Sequence, residues 1–81
     1  MSDYSSLSVI VHQSNPGPLS VRVLDTRGIE ITPLYNGNLA AGHWVFEWNG
    51  QLADGEHAQP GFYLIEVRVG DFVQRKRVQI R

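Results

Sequence analysis

Cysteine is absent from this chain of 81 residues. A chain without it can form no disulfide framework, no thiolate-rich zinc site and no cysteine nucleophile. Long hydrophobic runs are missing too, because the apolar run near the N-terminus covers only residues 9–11. A run this short is neither the core of a signal peptide nor a membrane-spanning helix. We therefore expect a domain with no thiol chemistry and no membrane span.

A large excess of charge of one sign is lacking as well. Seven Lys and Arg residues stand against eight Asp and Glu residues, and the formal net charge is −1. Proteins that bind nucleic acids need a positive surface that neutralises phosphates. The charge balance therefore argues against a nucleic-acid partner.

What the sequence does contain is apolar material for one small core. Hydrophobic residues make up 42% of the chain, and they include three Phe, three Tyr and two Trp residues. At this length that amount builds a single domain near the lower limit of independent stability. We interpret residues 1–5 as a disordered lead-in or an added tail, and residues 6–81 as the domain. We expect a secreted or cell-surface location as part of a larger protein, or a cytoplasmic one if Met1 is the native start.

Hydrophobic residues recur with a period of two along most of the chain, as in LSVRV, HWVFEW and FYLIEVRV. This alternation is typical of strands with one buried face. Turn-forming residues separate these runs at regular intervals, among them Thr26-Arg27-Gly28 after Asp25, Asn36-Gly37-Asn38 and Asp54-Gly55. The pattern predicts strands at 6–12, 18–25, 28–35, 43–49, 61–70 and 71–80. The third contains Pro33, which we expect at a sheet edge or a bulge. Short strands in this rhythm indicate an all-β sandwich or small barrel.

The same alternation separates buried from exposed positions within each strand. The residues predicted to form the core are Leu19, Val21, Val23, Trp44, Phe46, Trp48, Tyr63, Ile65, Val67 and Val69. Phe62 and Phe72 lie off these rows or at a strand start. They either form an exposed patch for a partner or complete the second half of the core, and we favour the core.

Few residues form a pattern that carries chemistry. Asp54, Glu56 and His57 lie together in the loop 51–60, where oxygen-rich side chains could hold Ca²⁺. The ligand spacing of an EF-hand is absent, and we favour a solvated hairpin loop. The three histidines show no His-x-x-x-His spacing, and neither a Gly-x-Ser-x-Gly elbow nor a glycine-rich phosphate loop occurs. We predict no enzyme activity, no metal and no cofactor.

Four segments, VRVLDTRGIEI, AAGHWVFEWNG, PGFYLIEVRVGD and KRVQIR, carry a resemblance to a known family. In order and spacing they resemble the Ig-like domain of flagellar-hook scaffold proteins of the FlgD type, and equally the C-terminal sorting domains of the type IX secretion system. The residues at the motif positions are Asp25, Gly28, Gly42, Trp48, Asn49, Gly50, Gly61 and Tyr63. The resemblance implies an antiparallel Ig-like β-sandwich of about six to seven strands.

The resemblance also implies recognition of a protein without catalysis. The leading hypothesis is a C-terminal sorting or surface-anchoring domain, because the sorting domains end in a short basic strand. The candidate partner-binding residues on that strand are Arg75, Lys76, Arg77 and Arg81. The plainer interpretation is an edge strand whose charges prevent aggregation, and both can hold. We expect a protein partner from secretion or assembly machinery and favour a monomer.

Two other functions stay open. The first is a FlgD-like domain that contacts other subunits of a large assembly. The second is a carbohydrate-binding module, with Trp44, Trp48 and Tyr63 as the sugar platform. A sugar platform requires at least one exposed Trp, whereas the alternation places both Trp residues on the core side.

Overall fold

The computed structural model describes residues 7–80, which form six strands and no helix. The strands are β1 Leu7–Gln13, β2 Gly17–Leu24, β3 Glu30–Leu39, β4 Gly42–Trp48, β5 Gly61–Val69 and β6 Phe72–Ile80. All six predicted strands are therefore confirmed, and only β3 differs by more than two residues at an end. In this part of the chain no helix is long and apolar enough to cross a membrane. The lead-in predicted at residues 1–5 lies outside the described residues.

The strands form two antiparallel sheets that pack face to face. One sheet has two strands in the order β1-β4, and the other has four in the order β3-β2-β5-β6. Aromatic pairs join the sheets: the ring centroids of Tyr35 and Phe46 are 5.4 Å apart, and those of Trp48 and Tyr63 are also 5.4 Å apart. This architecture confirms the predicted all-β, antiparallel Ig-like sandwich, with six strands.

The core lies between the sheets and follows the predicted alternation. Leu19, Val21 and Val23 on β2 are fully buried because β2 lies inside the four-stranded sheet. Inward-facing residues of neighbouring strands complete the buried cluster, which also contains Val11, Trp48, Ala58, Ile65 and Ile80. Strands β2 and β5 therefore each contribute an apolar row, as a period of two requires, whereas on β6 only the end of the strand reaches the core.

Strand β3 is longer than the sequence predicts. Asn36-Gly37-Asn38, predicted as a turn, pairs with β2 inside β3, so that prediction is wrong. Gly37 leaves room for an aromatic neighbour, because a Cβ there would lie 2.9 Å from the Tyr35 hydroxyl oxygen. Pro33 lies on this edge strand beside a register shift, and its predicted place at an edge or bulge is confirmed.

The corner between β4 and β5 is closed by a tyrosine. The hydroxyl of Tyr63, near the start of β5, donates a hydrogen bond of 2.5 Å to the carbonyl oxygen of Gln59, four residues upstream. Ig-like sandwiches use the same device at the equivalent corner. The contact fixes the angle at which the chain enters β5.

The two phenylalanines outside the core rows are exposed, so the favoured prediction that they complete the core is wrong. Phe62 points to the outer face of the four-stranded sheet and is 48% exposed. Phe72 lies on the inner face of β6 and is 64% exposed. The two-stranded sheet is too narrow to cover that part of β6. Because the two rings lie on opposite faces, they do not form one patch.

Candidate recognition surface

The turn after β2 is organised by an aspartate. One carboxylate oxygen of Asp25 accepts hydrogen bonds from the backbone N–H groups of Arg27 and Ile29, at 2.9 and 3.0 Å, and the other accepts from the Arg27 guanidinium. The bond from the Ile29 amide, followed by the Arg27 side chain, lowers the pKa of Asp25. Gly28 adopts a φ of 89° at this turn. The Asp-x-x-Gly motif is thus a structural turn.

The polar segment after β4 is a self-contained hairpin. The Trp48 indole donates to the carbonyl oxygen of Gln51 at 2.9 Å, and the Asn49 side chain accepts from the Gln51 amide at 3.0 Å. Backbone bonds from Ala58 to Gly50 and from Leu52 to Glu56 then close the loop. Gly50 has a φ of 87°, which lets the chain turn out of the strand. Connection geometry accounts for the Trp-Asn-Gly motif.

The side chains of this hairpin do not converge on a point that could hold an ion. The Asp54 carboxylate accepts the backbone N–H of Glu56 at 2.9 Å, which commits it to the turn. Among residues 7–80, no group of three or more His, Cys, Asp or Glu side chains is arranged to hold a metal. His57 lies beside Gly50 after β4, whereas His12 and His43 stack on each other near the start of β4, with ring centroids 4.5 Å apart. The structure does not bring the three histidines together.

The predicted basic recognition strand is split between two faces. Arg75 and Arg77 lie on the outer face of β6, opposite Glu66 and Leu64 of β5, whereas Lys76 lies on the inner face. The Arg77 guanidinium lies 4.8 Å from the ring centroid of Phe62, a cation–π contact. Arg81 lies outside the described residues. The three basic residues that the structure describes therefore do not form one surface.

A buried carboxylate on the outer face of the four-stranded sheet was not foreseen from the sequence. Glu66 is 1% exposed, although the alternation along β5 places it on the face that points away from the core. One oxygen accepts from Arg22 at 2.7 Å and the other from Arg75 at 2.8 Å, while Arg22 also contacts Glu30 at 3.2 Å. The Arg22 hydrogen bond, reinforced by Arg75, outweighs burial and lowers the pKa of Glu66. This cluster joins β2, β5 and β6.

The aromatic platform proposed for sugar binding is not present. Trp48 is 2% exposed and packs edge-on against Tyr63. Trp44 is half-buried, and its indole N–H is bonded to the carbonyl oxygen of Ala40. Stacking on a sugar needs an exposed ring face, and Trp48 and Tyr63 belong to the core instead. Trp44, which was predicted in the core, is not among the residues of the core cluster.

Exposed apolar side chains include Ile29, Phe62 and Val73, and two further surfaces bring apolar residues together. On the outer face of the two-stranded sheet, Ile10 and Val45 are cross-strand neighbours and are 70% and 59% exposed. The second surface is a groove of about 550 Å³ between β1 and β6, which we call the open groove. Its lining residues include Val9, Val11, Ile65, Val67, Val69, Phe72, Gln74 and Lys76. Within residues 7–80, β1 and β6 do not pair with each other across the groove, because β1 pairs only with β4 and β6 only with β5.

These features define a small Ig-like β-sandwich whose motif residues form turns and corners. Exposed apolar side chains lie on the two-stranded sheet, called the narrow sheet below, and in the open groove, as well as at Ile29, Phe62 and Val73. Residues 4–71 match the family model of the FlgD Ig-like domain. The chain belongs to this family, and the expected resemblance to the FlgD type is confirmed. No curated protein and no solved structure matches the chain. The resemblance to type IX sorting domains stays a prediction, and the matched range ends before β6 begins.

Proposed function

We propose that this domain is a non-catalytic protein-binding module that connects a larger protein to other subunits of an assembly. Membership of the FlgD Ig-like domain family supports this function over sorting by the type IX system. The proposal includes the absence of catalysis, since the motif residues with the most specific contacts, such as Asp25 and Trp48, are occupied with turns and the core.

The exposed pair Ile10 and Val45 is the observation that carries this proposal. The two side chains form an apolar centre on the narrow sheet, with polar cross-strand pairs on either side along the strands. Those flanking pairs are Ser8 with Glu47 and His12 with His43. Apolar centres with polar rims are typical of surfaces that bind proteins.

A photo-crosslinking experiment in the parent protein's own cells tests the proposal. A photoreactive amino acid at Val45 is expected to give a discrete adduct with a subunit of the assembly, identified by mass spectrometry. The matched control is Asn38, an exposed polar residue on the outer face of the other sheet, which is expected to give no such adduct. Equal adducts from both positions, or none from Val45, would contradict a binding role for this face.

An export assay separates assembly from sorting. The domain is fused behind a signal peptide and a fluorescent reporter in a bacterium with a working type IX system, beside a version that lacks residues 75–81. The assembly proposal predicts that both fusions stay in the periplasm. Surface display of the full fusion alone would favour the sorting hypothesis, with the last strand as its recognition element.

A further inference from the structure

The two sheets of the sandwich differ in width by two strands. Neighbouring strands lie about 4.8 Å apart, so a two-stranded sheet cannot cover all four strands of the other. The Tyr35–Phe46 contact places β4 over β3, and Val11 packs in the core cluster with Ile65, which places β1 over β5. Strand β6 is thus left without a strand above it.

Exposure along β6 shows where the cover is missing. Of its inward-facing residues, Phe72, Gln74 and Lys76 are exposed, while Val78 is half-buried and Ile80 is buried. The uncovered part is therefore the first half of the strand. It forms one wall of the open groove, and β1 forms the other.

Strand β1 offers this groove an unpaired backbone edge. It is hydrogen-bonded to β4 on one side only, within residues 7–80. Free N–H and C=O groups on such an edge are a template for a further strand. A strand added there would continue the narrow sheet and lie above Phe72, Gln74 and Lys76.

We propose that the open groove binds an extended segment of a partner protein, which pairs with β1 as a third strand of the narrow sheet. Its side chains alternate, with apolar ones pointing at the apolar floor around Val67 and Phe72. An acidic side chain faces Lys76, since the described residues offer this ammonium group no ion pair. This inference rests on the proposed protein-binding function and names the chemistry of the partner.

A second copy of the domain does not fit the groove in this way. If two copies paired through β1 about a twofold axis, the β1 strand of each copy would take the third position in the other's narrow sheet. In an antiparallel pair of this kind, β6 of each copy already lies below that position, so it would collide with β5 of the other copy, which lies beneath that copy's own β1. A single extended segment brings no second sheet with it and avoids this clash.

Selection from a displayed library of random ten-residue peptides tests the proposal without a known partner. The enriched peptides are expected to alternate apolar and polar residues and to contain Asp or Glu. Their affinity should fall about tenfold for Lys76→Glu, which reverses the charge in the groove. The matched control is Arg77→Glu, because the neighbouring Arg77 lies on the outer face and its replacement should leave binding unchanged.

Backbone pairing is tested with the enriched peptides themselves. N-methylation of alternate residues along one edge removes the donors that would meet β1 and should abolish binding, while methylation of the other edge should be tolerated. Failure to enrich any peptide, peptides without alternation, or equal effects of the Lys76 and Arg77 variants would overturn the proposal. If Val45 still crosslinks to an assembly subunit in that case, the protein-binding function stands and the groove is not the site.

Discussion

The two lateral sides of the sandwich are held together by different forces. On the closed side, where β4 lies over β3, aromatic rings such as Tyr35 and Phe46 pack between the sheets. On the open side, β6 has a backbone ladder with β5 and the Glu66–Arg75 ion pair, but its first half has no inward packing. Apolar packing stabilises one side, and polar contacts on the outer face hold the other. A side that is stable without a buried inner face can bind a strand without first unfolding.

Removal of the largest buried ring should cause the largest loss of stability. Trp48→Ala deletes a ring that is 2% exposed and contacts Tyr63. We expect a loss of about 3–5 kcal/mol in the free energy of unfolding, measured by urea denaturation. Trp44→Ala is the matched control, because Trp44 is half-buried, and its loss should be clearly smaller. Equal losses would mean that the core is not centred on Trp48.

Glu66→Gln weakens the polar contacts that hold the open side. The substitution keeps the size of the side chain but removes the charge that Arg22 and Arg75 contact at 2.7 and 2.8 Å. We expect a loss of about 1.5–3 kcal/mol in the free energy of unfolding. Because Arg75 lies on β6, amide exchange should rise more along β6 than along β3. A uniform rise over both strands would contradict a local role for the cluster.

The pH dependence of stability follows from the same carboxylate. The folded protein holds the pKa of Glu66 below its ordinary value of 4.5, so the unfolded chain binds the proton more readily. The stabilisation is therefore present above pH 4.5 and is lost as the pH falls through the lowered folded pKa. Glu66→Gln should reduce the loss of stability at acid pH. Asp25, whose pKa is also lowered, should cause part of the loss that remains. An unchanged acid profile would rule out this contribution.

A substitution in the hairpin after β4 should have a smaller effect on stability. Gly50→Ala forces a left-handed backbone on alanine, at a cost of about 1–2 kcal/mol. The new Cβ would also lie 3.2 Å from the His57 ring. Gly55 has a similar φ of 89° with open space around it, so Gly55→Ala measures the backbone cost alone. Thermal unfolding should show that Gly50→Ala is more destabilising than Gly55→Ala. The reverse order would contradict the expectation that the close approach to His57 adds to the backbone cost.

The smallest effect on stability is expected in the open groove. Phe72→Ala removes a ring that is 64% exposed and makes little contact with the core. The free energy of unfolding of this variant should stay within about 0.5 kcal/mol of that of the unsubstituted chain, while binding of the selected peptides should fall. A large loss of stability would show that the ring packs inside the domain, and the open side would then be closed.

Much of the fold could be predicted from local patterns, since alternation and turn residues depend on short stretches of chain. The core rows of β2 and β5 and the turn at Asp25 follow from them. The division of six strands into sheets of two and four could not be predicted, because it depends on pairings between distant segments. For that reason the exposure of Phe72 and the burial of Glu66 were missed. Glu66 meets Arg22 and Arg75 only once the register across β2, β5 and β6 is set.

The most direct test of the open side is the rate at which a single introduced thiol reacts with a labelling reagent in the folded protein. The chain has no cysteine of its own, so Gln74→Cys reports on the inner face of β6 without background. Ser14→Cys in an exposed turn and Val21→Cys in the core give the fast and slow references. We predict that Cys at position 74 reacts nearly as fast as Cys at position 14. Protection close to that at position 21 would mean that the groove is filled in the folded domain, and it would contradict the account of an open side.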